Sequence, residues 1–428
     1  MRLAGRVSAA IDVLTGVIER HRPASEALKD WGKAHRFAGS GDRHAIGTLV
    51  FDALRRRNSL AWRMGTGTPR ALALAGLRDV WGLSADAIGA MAEEQHGPGM
   101  LTAEERQALS RQLSADLPVH VAGDVPEWLA PSYRKAFGPR AAEEGAALAR
   151  RAPVDLRVNT LKATRPQVLE ALERFGAAEG PWSPLAVRIA ATGPDTRNAN
   201  VEAETAHGMG WFEVQDAGSQ VAAFLSGVQP GMRVADICAG AGGKTLALAA
   251  MMRNGGHLVA HDLDRFRLRP IFERLSRAGA ANCEVIPAQD RGRLEAAGPF
   301  DCVVIDAPCS GSGSWRRKPD AKWRLTPKQL AQRLKDQAQL LEKGFQLAKP
   351  GGTVLYITCS VLPEENTEQL AAFLTHHRDM RVVPYKEVWE RMIGGEAPVS
   401  ADGSKDTLLL TPARHDTDGF FVAVMKRG

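Results

Sequence analysis

Apolar positions near the start of the chain recur every three or four residues. Val7, Ile11, Leu14, Val17 and Ile18 form one such series. Ile46, Leu49, Val50, Ala53 and Leu54 form another, which follows Asp42 and ends in Arg55-Arg56-Arg57. That period gives each helix one apolar face to bury. Further helical pieces are expected over 70–95 and 102–115, and the alanine-rich stretch at 140–150 adds one more. No alternating strand pattern interrupts them, so the N-terminal region is expected to be all-α. Val125 to Leu129 opens a connector.

After Pro153 the texture changes. Asp155–Asn159 alternates, and Leu185–Ile189 and Trp211–Val214 also read as strands. Pro166 to Phe175 reads as a helix with proline in its first turn. With a Gly/Asn-rich loop at 193–200, these pieces make a small α/β unit. From Arg233 onward, strands at Arg233–Ile237, His257–His261, Cys283–Pro287, Cys302–Ile305 and Thr353–Tyr356 alternate with helices. Those helices fall at about 244–252, 265–278 (interrupted by Pro270), 327–348 and 364–377. Such alternation is that of a parallel, doubly wound sheet. Thr407–Leu410 and Phe420–Met425 suit an antiparallel edge pair.

Composition narrows the class. Of 428 residues, 44% are hydrophobic and 24% charged, which excludes collagen-like, coiled-coil and largely disordered chains. No apolar run approaches the ~18–20 residues of a membrane helix. The N-terminus lacks a signal-peptide pattern, so a cytoplasmic protein without membrane contact is expected. The net charge of +6 is compatible with a nucleic-acid partner. The cysteines Cys238, Cys283, Cys302, Cys309 and Cys359 are odd in number and contain no C-x-x-C pair. Neither a disulfide framework nor a zinc ribbon is suggested, and no metal is expected.

The segment Asp236-Ile237-Cys238-Ala239-Gly240-Ala241-Gly242-Gly243-Lys244-Thr245 joins a strand to a helix, where doubly wound sheets bind ligands. A P-loop requires glycine where Cys238 stands, and a dinucleotide fingerprint requires glycine where Thr245 stands. The looser glycine pattern fits S-adenosylmethionine best. Asp262, 22 residues after Gly240, is placed to bond the ribose hydroxyls. The alternative is a plain strand-to-helix turn.

Asp306-Ala307-Pro308-Cys309-Ser310-Gly311 and Thr358-Cys359-Ser360 each run off a buried strand. In a parallel sheet, Asp306, Cys309 and Cys359 reach the same edge as the glycine loop. Cys283 and Cys302 lie inside strands and read as small buried hydrophobes. Thiols beside a methyl donor suit carbon methylation of a pyrimidine. A thiolate adding to C6 of cytosine makes C5 nucleophilic, and a carboxyl group on the N3/N4 edge, the position open to Asp306, favours that addition. A free thiol has a pKa of about 8.5, and Lys244 is the candidate for lowering it. Spacing alone does not rank the two thiols.

Between Ser310 and Lys335, Arg316, Arg317, Lys318, Lys322, Arg324, Lys328, Arg333 and Lys335 face one acid, Asp320. Trp315 and Trp323 interleave. Residues 315–324 are expected to hold phosphates and stack on unpaired bases. Residues 328–335 suit a solvated helix face.

Six motifs carry a family resemblance. They are Leu156-Arg157-Val158-Asn159, Val214-Gln215-Asp216, Asp236 to Thr245, Asp306 to Gly311, Thr358-Cys359-Ser360 with Glu364-Glu365-Asn366, and Asp418-Gly419-Phe420-Phe421. Together they resemble the Fmu/Sun (NOL/NOP/Sun) family of RNA 5-methylcytosine methyltransferases, in layout its RsmB-type ribosomal RNA enzymes. Asp42 to Arg57 resembles a NusB-like RNA-binding domain. The resemblance implies Cys359 as the nucleophile and Cys309 as the group assisting release. It also implies a cofactor pocket lined by Cys238, Ala239, Gly240, Ala241, Gly242, Gly243, Lys244, Asp262, Asp290 and Asp306. Arg157 and Asn159 are assigned to RNA binding with the basic segment.

The expected architecture is α/β. A Rossmann-like S-adenosylmethionine methyltransferase domain (226–428) follows a small α/β RNA-binding subdomain (141–225) and an all-α NusB-like domain (1–140). The expected partner is small-subunit ribosomal RNA and the expected state a monomer. The rival readings are a P-loop-like RNA-dependent ATPase and a non-catalytic ribosome-assembly binder.

Overall fold

Local capping explains where several N-terminal helices begin. Thr68 accepts from the Ala71 N–H at the head of Pro69–Asp79, Ser84 caps Ala85–Glu93, and Thr102 with Glu105 forms a capping box on Ala103–Ser110. The computed structural model describes residues 1–428 except 113, 115, 192 and 194–198. The expected helix at 102–115 is therefore described to Ser110 and around the two positions left out, and most of the loop at 193–200 lies outside the described residues. With Leu3–Ile18, Ala24–Ala34, Ser40–Arg55 and Arg57–Met64, these helices bury one core. It contains Val7, Leu14, Val17, Ile46, Leu49, Val50 and Leu54, the residues whose spacing marks the helices in the sequence. Buried Asp52 accepts from Arg55, Arg151 and Trp81, which offsets the cost of burying its charge.

This helical unit runs to Arg151 and takes in Ala141–Leu148, beyond the expected boundary at 140. A Cβ on Gly145 would stand 2.6 Å from the Gly123 carbonyl oxygen, an approach only glycine permits.

The unit also includes Trp315–Leu325. Lys322 is 1% exposed, and its Nζ donates to the Arg55 and Asp124 carbonyls at 2.9 and 2.6 Å. Trp323 Nε1 donates to the Leu54 carbonyl at 2.6 Å, and the Ala24 N–H to Asp320 Oδ2 at 3.3 Å. Trp315 and Arg316 are buried, Arg317 and Trp323 half-buried, and Lys318 and Arg324 exposed. This corrects the expectation for Trp315, Arg316, Lys322 and Trp323. Trp315 and Arg316 are buried, and the tips of Lys322 and Trp323 bond backbone carbonyls of the helical unit instead of facing RNA.

The second unit holds two sheets. The smaller is antiparallel: β1 (Val154–Val158), β2 (Ala178–Glu179), β3 (Ala186–Ile189) and β4 (Phe212–Val214), in the order β2-β3-β1-β4. The larger comprises β5 (Arg233–Asp236), β6 (His257–His261), β7 (Cys283–Ile286), β8 (Phe300–Asp306), β9 (Ala348–Thr358), β10 (Met380–Val383), β11 (Leu408–Leu410) and β12 (Phe420–Arg427). Its parallel part runs β9-β8-β5-β6-β7. Strand β12 closes one side antiparallel to β9, and its far edge carries both β10 and β11. Pro270 splits the helix expected at 265–278 into Arg265–Leu268 and Ile271–Ala278.

Both sheets belong to the same unit. Asn159 Nδ2 donates to the Gly210 and Ala278 carbonyls, Arg274 and Arg277 pair with Glu213 at 2.8 and 2.7 Å, and Arg157 Nε donates to Gln215 Oε1 at 2.6 Å. Arg157 and Asn159 are each 2% exposed. Asn159 ties the small sheet to the helix Ile271–Ala278 beside the large one, and Arg157 is buried against Gln215 next to the small sheet, a correction to their assignment to RNA. Among the described residues, no helix is long and apolar enough to cross a membrane.

Lys322→Ala strips two buried carbonyls of their donor and should cost about 2–4 kcal/mol. Exposed Lys318→Ala should stay within about 0.5 kcal/mol. Chemical denaturation followed by circular dichroism checks this; equal midpoints for the two variants would refute the buried role of Lys322.

Candidate active site

Strand β5 pairs with β6 on one side and β8 on the other, so chain connections leave it in opposite directions. Such a switch point opens a crevice beyond the strand ends. Here the glycine loop is fixed by its backbone: the Ala239 N–H donates to the His261 carbonyl, the Gly240 N–H to Asp262 Oδ2 at 2.9 Å, and Arg274 Nη1 to the Ala241 carbonyl at 2.8 Å. Gly242 has φ +88°, and a Cβ there would lie 2.6 Å from Ile271 Cγ1, so glycine is required. At the base of the loop, Thr245 Oγ1 donates to Asp236 Oδ2 at 2.7 Å, and burial pushes the Asp236 carboxyl up to about 7.

A cavity of about 620 Å³ lies here, lined by Ile237, Cys238, Asp262, Leu263, Leu294, Pro308 and Leu340 among others. Its residues fit a nucleoside-containing cofactor. Each Asp262 oxygen accepts one backbone N–H, from Gly240 or Asp264, and keeps a lone pair for a hydroxyl. The apolar side chains suit a flat base. Among the expected cofactor residues, Cys238 and Asp262 line this cavity. Ala239, Gly240, Ala241 and Gly242 form the turn into the helix that Gly243 begins. Lys244 Nζ and Asp306 Oδ2 pair at 2.8 Å. Asp290 is not part of the lining; it stands before the helix Arg291–Ala297, 3.6 Å from Arg293.

The two thiols meet at the ends of neighbouring strands. Parallel pairing of β8 with β9 sets Asp306 opposite Ile357. The chain then delivers Cys309 and Cys359 with their Sγ atoms 3.4 Å apart. Buried Glu365 fixes the Cys309 loop: its Oε1 accepts from the Ser310 N–H at 2.7 Å and Gln337 Nε2 at 3.1 Å, and its Oε2 accepts from Ser310 Oγ. Gln337 also donates to the Pro308 carbonyl at 3.0 Å, and Tyr356 Oη to the Glu365 carbonyl at 2.7 Å. On the other side, Thr358 Oγ1 bonds Asn366 Oδ1, and Asn366 Nδ2 donates to the Ser360 carbonyl. The Gly313 N–H donates to the Cys359 carbonyl and the Gly419 N–H to the Gly313 carbonyl. A Cβ on Gly313 would overlap Gly419. Glu365, Gln337 and Tyr356 carry the site without having been singled out in the sequence. The one available signal is Glu364-Glu365-Asn366 shortly after Cys359.

The thiols are electrostatically unequal. The hydrogen bond from Cys309 holds Cys359 below the ordinary thiol value, and the Lys244 ammonium adds to this against opposition from burial and Asp306. The same contact with Cys359, then burial and Glu365, pushes Cys309 well up. Burial pushes Cys283 and Cys302 up to about 12, as befits packing residues.

Comparisons with known proteins give the family. Residues 223–426 match the family model of the 16S rRNA methyltransferase RsmB/F, and residues 125–194 match its ferredoxin-like domain. The ribosomal RNA small subunit methyltransferase B of Klebsiella pneumoniae is 31% identical over 399 residues, which cover 87% of this chain and 90% of the relative. The chain belongs to the Fmu/Sun family of ribosomal RNA methyltransferases. As in that family, S-adenosylmethionine is its cofactor. The Salmonella paratyphi B member is 30% identical over 422 residues, 91% of this chain and 95% of its own. A methyltransferase homolog from Pyrococcus horikoshii shares the fold at TM-score 0.60 and 29% identity, covering 74% of this chain and 100% of that one. NSun6 from the same organism, solved with SFG, gives TM-score 0.62 at 19% identity, covering 71% and 98%.

For this family member, iodoacetamide labelling followed by peptide mass spectrometry should modify Cys359 with a pH midpoint below the ~8.5 of a free thiol. Lys244→Met should move that midpoint upward; an unmoved midpoint would remove Lys244 from the electrostatic account. Asp262→Ala should weaken S-adenosylmethionine in calorimetry roughly 10- to 100-fold, the value of hydrogen bonds to a charged acceptor. Unchanged affinity would contradict the cavity assignment.

Proposed function

We propose that this enzyme methylates C5 of a cytosine in small-subunit ribosomal RNA through a covalent bond between Cys359 Sγ and C6, working as a monomer in the cytoplasm. The observation that carries the reading is the contact of two thiols at 3.4 Å beside the Lys244–Asp306 pair. A thiol pair with opposed shifts, held by Glu365 and Asn366, favours catalysis over a non-catalytic binder.

Cys359 attacks as the thiolate. The S–C6 bond forms, the C5=C6 pair shifts to C4–C5, and N3 takes a proton, which leaves C5 as an enamine carbon. Asp306, half-exposed at the end of β8, stands at the N3/N4 edge and favours protonation there. S-adenosylmethionine supplies an electrophilic methyl group. Once C5 carries the methyl group, loss of the C5 proton restores C5=C6, breaks S–C6 and returns Cys359 as thiolate, and N3 gives back the proton it took up.

Cys309 assists this last step, and the timing follows from the coupling. While Cys359 is free, its sulfur raises Cys309. Once Cys359 is bonded to carbon that charge is gone, and Cys309 ionises more readily when a base is needed. Of the basic segment, Lys318 and Arg324 keep exposed side chains for phosphate.

The two cysteines therefore fail differently. Cys309→Ser should accumulate a covalent enzyme–RNA complex, seen as a ribonuclease-sensitive upward shift on a denaturing gel. Cys359→Ser should give no shift and no methyl transfer, and the double variant no shift. A shift with Cys359→Ser alone would reverse the roles.

A further inference from the structure

We infer that the outward face of residues 263–272 is a docking surface for single-stranded RNA at the rim of the cofactor cavity; this rests on the RNA methylation proposed above. After β6 the chain turns at Asp264, whose Oδ1 accepts from the Phe266 and Arg267 N–H groups. The helix Arg265–Leu268 and, past Pro270, the helix Ile271–Ala278 are anchored by buried Leu268 and Ile271. That anchoring turns Phe266 and Phe272 outward, 72% and 59% exposed.

The surrounding charge selects the partner. Arg265 lies over the Phe266 ring at 4.8 Å. Arg267 lies 3.8 Å from Asp262, whereas Arg265 and Arg269 have no acidic partner among the described residues. Two guanidinium groups without counter-charge beside two exposed rings match a strand that offers phosphates and unpaired bases in alternation. An apolar protein surface would leave those guanidinium groups desolvated and unpaired.

Placement supports the same partner. Leu263, Asp264 and Arg267 line the cofactor cavity, and so does Pro308, the residue before Cys309. Strands β6 and β8 are both in the parallel part of the sheet, so this face follows the same strand-end edge as the thiols. Phe266 and Phe272 stack on bases flanking the target nucleotide, and Arg265 and Arg269 contact the adjoining phosphates.

The test uses the full chain and two probes, a small-subunit ribosomal RNA transcript and intact small-subunit particles, with S-adenosylhomocysteine for binding and, in a parallel reaction, S-adenosylmethionine for methyl transfer. Phe266→Ala/Phe272→Ala should lower affinity for the transcript about tenfold or more, at unchanged cofactor affinity by calorimetry. Arg265→Gln/Arg269→Gln should flatten the log–log salt slope by about 1.4, the value of two lost single-strand phosphate contacts. All four side chains are exposed, so cofactor binding reports whether the fold is intact. If the wild type methylates the transcript and both variants match it in affinity and slope, the surface assignment falls alone. If the wild type transfers no methyl group to either probe, the functional reading falls first. Weakening confined to intact particles would assign the face to a ribosomal protein and overturn the RNA assignment.

Discussion

The parallel pairing of β8 with β9 is the constraint on which the active centre depends. It sets Asp306 opposite Ile357, so the two loops that follow start side by side and bring Cys309 to 3.4 Å from Cys359. A slip of one residue would turn the strand-end side chains to the opposite face and separate the thiols. The register is protected on both sides. Antiparallel β12 pairs with β9 from Thr353 to Thr358, and Glu365 joins the loop after β8 to the segment after β9. Tyr356 and Gln337 bond the same glutamate or its loop, so the brace is rigid and buried.

From this contact comes the difference between the two thiols. Two identical thiols in water titrate alike. Here Lys244 lies on the Cys359 side and Glu365 braces the Cys309 loop. The hydrogen bond between the sulfurs then stabilises one thiolate at the expense of the other. The glycine loop serves the same centre from β5, because Lys244 in its helix reaches across to Asp306 at the end of β8. The helix after the glycine loop and the end of β8 that leads to Cys309 are thus linked through one ion pair.

The large sheet was readable from sequence because parallel strands buried on both faces appear as continuous apolar runs. Five strands of the parallel sheet lie where those runs are. The edge strand β10 and the two-residue β2 escaped, being too short and mixed to show a period. The strand-end positions of the thiols, the glycine loop and Asp262 were legible in the sequence. Glu365 was visible only as part of a motif, since nothing local marks an acid that closes a network from 55 residues away in sequence. The basic segment at 315–324 misled for a physical reason. Lysine and tryptophan serve a buried latch as well as an RNA surface, and only the partners at Arg55, Leu54 and Asp124 distinguish them. Arg157 and Asn159 show the same ambiguity, because polar residues in a motif can serve internal packing as readily as a ligand. Asp290 follows its strand as expected but bonds forward to Arg293, away from the cavity lining.

The central claim is that Cys359, and not Cys309, forms the bond to the target base. Replacing cytidine by 5-azacytidine in the RNA removes the C5 proton whose loss would free the enzyme, so the adduct persists. The wild-type chain, incubated with such RNA and S-adenosylmethionine, can be digested and its nucleotide-bearing peptide sequenced by mass spectrometry. The expected result is a methylated azacytidine nucleotide on Cys359. A nucleotide on Cys309, or no nucleotide on either thiol despite methyl transfer to normal RNA, would contradict the account.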